Sequence, residues 1–117
     1  MGSTQIQALT DLLLEFRRER DWEKFHNPKD QALSLSLEVH ELLEHMQWKN
    51  GKELQDHLKA EKQQVTDELA DVLGWVLLIA NDLEIDLDAA VRRKVKINCE
   101  KYPIDKAKGR ATKYDKL

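Results

Sequence analysis

The chain has 117 residues, of which 41% are hydrophobic and 35% are charged, with only 4 Gly and 2 Pro. This length fits one domain over residues 1–117. The composition is too apolar for a disordered chain and too poor in turn residues for a many-stranded β fold. No apolar stretch predicts a membrane span or a signal peptide, and the one cysteine, Cys99, suits a reducing compartment. We therefore expect a soluble, largely helical, cytoplasmic domain with no membrane partner.

The net charge of −3 is unevenly distributed along the chain. Residues 92–117 carry ten Lys or Arg against three acids, a balance of +7, whereas residues 1–91 have a balance of −10. A basic end on an acidic body can bind nucleic acid, bind a phosphorylated small molecule, or fold back onto the acidic surface, and the simplest interpretation is a solvated tail. The acidic body argues against nucleic acid, so no nucleic-acid partner is expected.

Hydrophobic periodicity predicts four helices. The first covers about residues 4–20, and an aromatic loop follows at 21–29. The second is predicted to begin at Asp30, as an N-cap just after Pro28, and to run to about residue 48, where Asn50-Gly51 closes it. A polar stretch at 52–64, with room for one short helix, separates it from the third.

The third helix is predicted at about residues 64–83, and Asp86 is expected to cap a fourth at about 87–101. Tyr102-Pro103 ends the fourth helix, because the residue before proline disfavours the helical conformation. Residues 104–117 show no period, so we expect an extended basic tail.

Two acidic pairs are the most informative feature. Glu38 and Glu41 lie three residues apart on the second helix, and Glu68 and Asp71 lie three apart on the third, so each pair shares a helix face. Each pair also flanks the apolar stripe of its helix, and packing through the stripes would gather four carboxylates. One such pair usually marks only the edge of a solvated face, but two matching pairs favour a site. Carboxylates that close either take raised pKa values or need a cation, and a hard divalent ion is the economical choice.

A di-iron bundle is the competing interpretation of clustered helical acids. That class requires a Glu-x-x-His pair on each of two helices. Here the only such pair is Glu23 with His26, in the predicted loop, and the third helix has no histidine. We therefore expect Mg²⁺ as the cofactor, with Mn²⁺ as the alternative.

These residues resemble the MazG-like, all-α nucleoside triphosphate pyrophosphohydrolases, whose signature is Glu-x-x-Glu, a spacer, and Glu-x-x-Asp. The spacer between Glu41 and Glu68 has 26 residues. The resemblance covers about residues 8–114 and points to the dCTP pyrophosphatase branch. The further segments that carry it are residues 20–26, Gln47-Trp48, Lys94 with Asn98, residues 101–103, and Lys113-Tyr114.

The resemblance implies a four-helix bundle of the MazG-like type, assembled as a dimer or a dimer of dimers with sites between subunits. It implies Mg²⁺-dependent hydrolysis of (deoxy)nucleoside triphosphates to the monophosphate and pyrophosphate, by a house-cleaning enzyme that prefers pyrimidine nucleotides such as dCTP. By position, the four acids would be the catalytic metal ligands. Trp22, His26 and Trp48 would line the base and sugar pocket, and Lys94 and Asn98 would contact phosphate or sugar.

This chain departs from the branch at two positions of that pocket. Relatives carry a histidine where this chain has Leu13, and a tyrosine where it has Trp75. Trp75 faces the carboxylate side of the third helix, so it is a candidate to pack against the sugar or against another subunit. Candidates from the C-terminal block for the phosphates are Lys101, Tyr102, Arg110 and Lys113. Glu41 is one candidate for the general base, and the sequence does not separate base from ligand.

Apolar residues outside the main stripes predict self-association. Leu33 and Leu37 lie opposite the stripe of the second helix, and Leu77 and Leu78 lie outside that of the third. A short four-helix monomer cannot cover both faces of its central helices, so a homodimer or homotetramer is expected. The alternative to an enzyme is a non-catalytic helical module that senses nucleotides or binds a partner. The complete set of four acids favours the enzyme.

Overall fold

The computed structural model describes residues 4–117, and its regular structure over that part is all helical. The α-helices are α1 (Thr4–Glu19), α2 (Pro28–Glu44), α3 (Gly51–Ala60), α4 (Lys62–Asp82), α5 (Leu87–Lys101) and α6 (Ile104–Ala107), and short 3₁₀ turns lie at Glu23–Phe25 and Tyr114–Lys116. The expected all-α fold is therefore confirmed. Residues 1–3 of the predicted domain lie outside the described residues.

Helices α2 and α4 form the main packing unit. They share the most extensive helix–helix contact, α1 packs against α4, and α3 makes a smaller contact with α4. Helix α5 makes no comparable contact with another element within residues 4–117. None of the helices in this part of the chain combines the length and apolar character needed to cross a bilayer.

The predicted limits of the first and fourth helices are confirmed, but the predicted start of the second is wrong. The Asp86 side chain accepts a hydrogen bond from the backbone N–H of Ala89 at 3.1 Å and caps α5. Helix α2 begins at Pro28, and its N-cap is Asn27, whose Oδ1 accepts from the N–H of Asp30 at 2.9 Å. Proline suits the first helical turn because its missing N–H would be unpaired there.

The Asn50-Gly51 pair begins a helix instead of ending one. Helix α2 ends at Glu44, four residues before the predicted end, and α3 starts at Gly51. Gly51 has a φ of +54°, a left-handed conformation that glycine adopts at little steric cost. The short helix allowed in the polar stretch is thus present, and six helices replace the predicted four within the described part of the chain.

Three helices are followed by non-glycine residues in the left-handed conformation. Asp21, Trp48 and Glu84 have φ values of 56°, 69° and 57° and follow α1, α2 and α4. After α4, the Ile85 N–H donates to the Ala80 carbonyl at 2.8 Å, which satisfies one of the last carbonyls of the helix. Because no glycine marks these ends, the usual stop signal is missing from the sequence.

The C-terminal segment is more ordered than the predicted extended tail. It contains α6 and the final 3₁₀ turn. The rings of Tyr102 and Tyr114 meet edge to face, with centroids 6.0 Å apart. Lys101 Nζ lies 4.8 Å from the centre of the Tyr114 ring, a cation–π contact that ties the end of the chain back to α5.

The apolar core is small and includes residues that the sequence analysis assigned to a second face. Leu77, Leu78 and Ala80 are the buried apolar residues within 4–117. The expectation that Leu77 and Leu78 lie on an outer face is therefore wrong, because both are buried on the side of α4 that borders residues of α1. Leu69 and Leu83, which helical spacing assigns to the apolar stripe of the third predicted helix, are instead about half exposed.

A polar clamp joins α1, α2 and α4 beside this core. Arg17 Nη1 and Nη2 donate to the two carboxylate oxygens of Asp82 at 2.8 and 3.0 Å, and Gln31 Nε2 donates to Asp82 Oδ2 at 2.7 Å. Gln31 and Arg17 are both buried. The hydrogen bonds from Arg17 lower the pKa of Asp82 to about 2. The clamp fixes three helices at one point.

Replacing Asp82 by Ala should lower the free energy of unfolding by about 3 kcal/mol, because it leaves the buried Arg17 guanidinium without its partner. Urea denaturation at one fixed protein concentration measures the loss. The matched control is Asp56→Ala, which removes an exposed ion pair with Lys52 and should cost less than about 0.5 kcal/mol. Since the pKa of Asp82 is lowered by folding, its contribution is present above about pH 4 and should fade toward about pH 2. Equal losses in the two variants would contradict the role of the clamp.

Candidate functional site

The packing of α2 on α4 brings the predicted acids together. Glu38, Glu41 and Glu68 each offer one carboxylate oxygen, and these three oxygens lie within 4.8 Å of one another. Oε2 of Glu38 and Oε2 of Glu68 are buried and have no hydrogen-bond partner. Buried carboxylate oxygens without donors are ready ligands for a hard cation. The cluster therefore fits a divalent metal ion.

The closely packed carboxylates of the cluster repel one another, and this repulsion disfavours their ionised form. Burial, the closely facing Glu68 carboxylate, and the charges of Asp71 and Glu41 raise the pKa of Glu38 to about 7. Burial, the closely facing Glu41 carboxylate, and the charge of Asp71 also raise the pKa of Glu68. Glu38 therefore keeps its proton to a higher pH than an exposed glutamate does, unless a cation neutralises the group.

Asp71 lies at the edge of the cluster, one turn after Glu68 on α4. It is outside the set of three converging oxygens but close enough for its charge to raise the pKa of Glu38 and of Glu68. Asp71 and Glu38 also line the same cleft, on the side away from Glu41. The fourth predicted acid thus connects the acidic cluster to that cleft.

An aromatic cleft of about 420 Å³ opens beside Glu38 and Asp71, between α1, α4 and the loop after α1. The size suits a nucleobase with its sugar, and most of the lining is apolar. Both positions at which the chain departs from the branch, Leu13 and Trp75, lie in this lining. The full lining is Leu13, Phe16, Arg17, Trp22, His26, Glu38, Ala70, Asp71, Gly74, Trp75 and Leu78.

His26 supplies a polar atom to the aromatic cleft. Its ring meets Trp75 edge to face with centroids 5.2 Å apart, and its Nδ1 is buried without a partner. Burial and then the positive charge of Arg17 lower the pKa of His26, so its imidazole is neutral at pH 7. A neutral imidazole can either donate or accept one hydrogen bond at such an atom.

The remaining predicted residues lie outside both the acidic cluster and the aromatic cleft of the single chain. Trp48 is 88% exposed in the turn after α2. Lys94 and Asn98 are exposed on α5, and Lys101 and Tyr102 form the contacts with Tyr114 described above. Arg110 and Lys113 are exposed near the C-terminus. Their predicted contacts with substrate stay predictions.

The sequence analysis missed two groups of site residues. Arg17 and Phe16 line the aromatic cleft. For Arg17, the only signal in the sequence was a charged residue at a position where the helical pattern of α1 predicts an apolar one. His57 and Glu44 lie beside the acidic cluster, next to His45. His57 was missed because its stretch is mostly polar, and only the packing of α3 in the fold shows which residues it approaches.

Comparisons with known proteins agree with this geometry. A model of the MazG-like family matches residues 33–117. The chain is similar to dCTP pyrophosphatase 1 of Rattus norvegicus and of Homo sapiens, each 38% identical over 114 residues that cover 96% of this chain and 67% of the relative. It is also similar to a pyrophosphatase from Archaeoglobus fulgidus of known crystal structure. That similarity has a TM-score of 0.81 and 40% identity, over 88% of this chain and 96% of the other.

Replacing Glu38 by Gln should stabilise the metal-free protein above about pH 7. Because folding raises the pKa of Glu38, the stability that its protonated form contributes is present below about pH 4.5 and is lost as the pH rises through about 7. Because glutamine does not ionise, Glu38→Gln abolishes this loss of stability at high pH. It also removes one of the proposed metal ligands. Thermal unfolding with and without added divalent cation measures both effects.

The control for this experiment is Glu53→Gln, which changes an exposed acid at the start of α3. It should leave both the pH dependence and the cation-induced stabilisation as in the unmodified chain. If Glu38→Gln kept the full cation-induced stabilisation, the assignment of Glu38 as a ligand would be wrong.

Proposed function

Since the chain belongs to the MazG-like family, we propose that it is a nucleoside triphosphate pyrophosphohydrolase, which converts a (deoxy)nucleoside triphosphate into the monophosphate and pyrophosphate. The observation that carries this proposal is the convergence of the Glu38, Glu41 and Glu68 oxygens within 4.8 Å, next to a cleft of nucleoside size. The identity with the dCTP pyrophosphatases over nearly the whole chain supports the same activity. The cellular role is house-cleaning of the nucleotide pool.

The proposed cofactor is Mg²⁺, with Mn²⁺ as the alternative. A ligand set made only of carboxylates suits these hard ions and leaves positions for water and phosphate oxygens. The unpartnered oxygens of Glu38 and Glu68 would hold the ion, with Glu41 and Asp71 completing the set. When bound, the ion supplies charge neutralisation for the phosphates and a water of lowered pKa.

In the proposed reaction, water attacks the α-phosphorus, the bond from this phosphorus to the bridging oxygen breaks, and pyrophosphate leaves. The acids of the cluster bind and orient the attacking water, and Glu41, the more exposed of the three, is the proposed acceptor of its proton. Trp22 and Trp75 pack against base and sugar in the aromatic cleft, and His26 Nδ1 hydrogen-bonds there. The proposed substrates are pyrimidine deoxynucleotides such as dCTP.

The single chain has too open a shape to be the complete enzyme. Its radius of gyration is 17.8 Å, against about 13 Å for a compact chain of this length. Its accessible surface is 9282 Å², against about 6600 Å² for a compact monomer of this mass. Leu33 and Leu37 are more than half exposed on α2. A homodimer or a homotetramer that covers this surface is the proposed assembly.

Active sites shared between subunits would account for the predicted substrate-binding residues that lie outside the acidic cluster and the aromatic cleft of their own chain. Trp48 is exposed and α5 makes no extensive contact with another helix within residues 4–117, and neither lines the aromatic cleft. In the proposed assembly they complete the site of a neighbouring subunit, with Trp48 on the base. The basic side chains then neutralise the leaving pyrophosphate: Lys94, Lys101, Arg110 and Lys113, with Asn98 and Tyr102 beside them. The proposed location is the cytoplasm, which suits the exposed free thiol of Cys99.

Replacing Asp71 by Asn should lower kcat for dCTP hydrolysis by at least about a hundredfold, because the site loses a charge that binds the cation. Release of pyrophosphate from a panel of deoxynucleotides and ribonucleotides, with Mg²⁺ and with EDTA, measures the activity and ranks the bases. The matched control is Asp67→Asn, an exposed carboxylate one turn earlier on the same helix, which should keep full activity.

If the unmodified chain released no pyrophosphate from any nucleotide while remaining folded, the enzyme proposal would fail. The alternative of a nucleotide-sensing or partner-binding module would then stand. Near-normal activity of Asp71→Asn would contradict the assignment of the four acids.

Replacing Leu37 by Glu should shift the protein toward a smaller assembly, because it places a charge in the exposed apolar face of α2 that the assembly buries. Light scattering coupled to size exclusion measures the mass. Ser36→Glu adds the same charge at an exposed polar position of α2 and should leave the mass unchanged. A monomeric mass for the unmodified chain would contradict the proposed assembly.

A further inference from the structure

A second cleft, of about 500 Å³, borders the acidic cluster and shares no lining residue with the aromatic cleft. The proposed reaction uses two of its residues and leaves the other three without a role. All five are potential metal ligands: Glu41, Glu44, His45, His57 and Glu68. We call this the histidine cleft.

The two imidazoles of the histidine cleft stand close together on different helices. His45 ends α2 and His57 lies in the last turn of α3, yet their ring centres are 5.8 Å apart with an interplanar angle of 37°. Metal–nitrogen bonds of about 2.1 Å place two imidazoles that share one ion with ring centres about 5 Å apart. The observed separation is within about 1 Å of that distance, so a small adjustment of the side chains would let the two rings share an ion.

His57 also has an unused ligand atom. Its Nε2 is buried and has no hydrogen-bond partner. A buried ring nitrogen without a partner is costly unless something binds to it. Glu41 and His45 are four residues apart, so they share a face at the end of α2 and turn toward the same cleft.

We propose that His45, His57 and Glu41 form a second cation site, beside the all-carboxylate site, for a transition metal ion that accepts nitrogen ligands, such as Co²⁺ or Zn²⁺. Imidazole favours these ions over Mg²⁺. The three groups do not lie within 4.8 Å of one another as they stand, so the proposed site requires the exposed Glu41 side chain to rotate toward the histidine pair. Glu41 then lies between the two sites.

The charge of the histidine cleft favours a cation over a phosphate group. Glu41, Glu44 and Glu68 place three carboxylates in the lining, and no Lys or Arg contributes to it. An anion entering the cleft would meet this negative charge with only imidazoles to offset it. A phosphate subsite is therefore the weaker interpretation, and a ring contact that only supports packing is the other one to test.

The test measures metal binding directly, with Co²⁺ and Mg²⁺ alone as probes and the full chain as the protein. Calorimetry should show that His57→Ala weakens Co²⁺ binding at one site by at least about tenfold while leaving Mg²⁺ binding unchanged. Electron spin-echo measurements on bound Co²⁺ should show coupling to histidine nitrogen in the unmodified chain and a weaker or absent coupling in the variant. His45→Ala should behave in the same way.

The matched control is His40→Ala, which removes an exposed histidine from α2 outside the cleft and should leave both signals intact. His57→Gln, with circular dichroism, replaces His57→Ala if the smaller side chain disrupts α3. Co²⁺ binding that is the same in the unmodified chain and in both His57 variants would overturn the proposal, as would the absence of nitrogen coupling. Because neither measurement uses turnover, a chain that failed to hydrolyse nucleotides would leave this result unaffected.

Discussion

The mutual repulsion of carboxylates held between α2 and α4 is the constraint on which the rest of the structure depends. Helix packing places the oxygens of Glu38, Glu41 and Glu68 within 4.8 Å of one another, and this crowding raises the pKa of Glu38 to about 7. In a protein that had no use for the site, one lysine or arginine beside the carboxylates could offset their electrostatic repulsion. The buried oxygens of Glu38 and Glu68 instead have no hydrogen-bond donor. The negative charge between the two helices therefore favours binding of a cation, and Mg²⁺ is the proposed ion.

The fold tolerates the repulsion among these carboxylates because other contacts hold the helices in place. The buried apolar core is small, and the clamp of Arg17, Gln31 and Asp82 ties α1, α2 and α4 together at a distance from the acids. Arg17 also lines the aromatic cleft. One positive charge thus anchors the helices and helps to keep His26 neutral. In the proposed assembly, burial of the exposed surface of this open chain would add further stabilisation.

The sequence predicted the all-α fold and the convergence of the acids, because helical periodicity fixes which residues share a face. It did not predict the helix ends, since Asp21, Trp48 and Glu84 take left-handed conformations without a glycine to signal them. It also assigned Leu77 and Leu78 of α4 to an outer face, although both side chains are buried. Apolar residues surround much of that helix, so periodicity alone does not select the buried face. His57 was missed because long-range packing of α3, and no local pattern, brings it to His45.

The position of water attack tests the central claim most directly. A single turnover of dCTP in ¹⁸O-labelled water, with the products separated and weighed by mass spectrometry, shows which phosphorus receives the new oxygen. The acidic cluster beside a nucleoside-sized cleft predicts one ¹⁸O atom in the monophosphate and none in the pyrophosphate. Label in pyrophosphate, or release of orthophosphate, would contradict the account, because the attack would then occur away from the phosphorus next to the nucleoside.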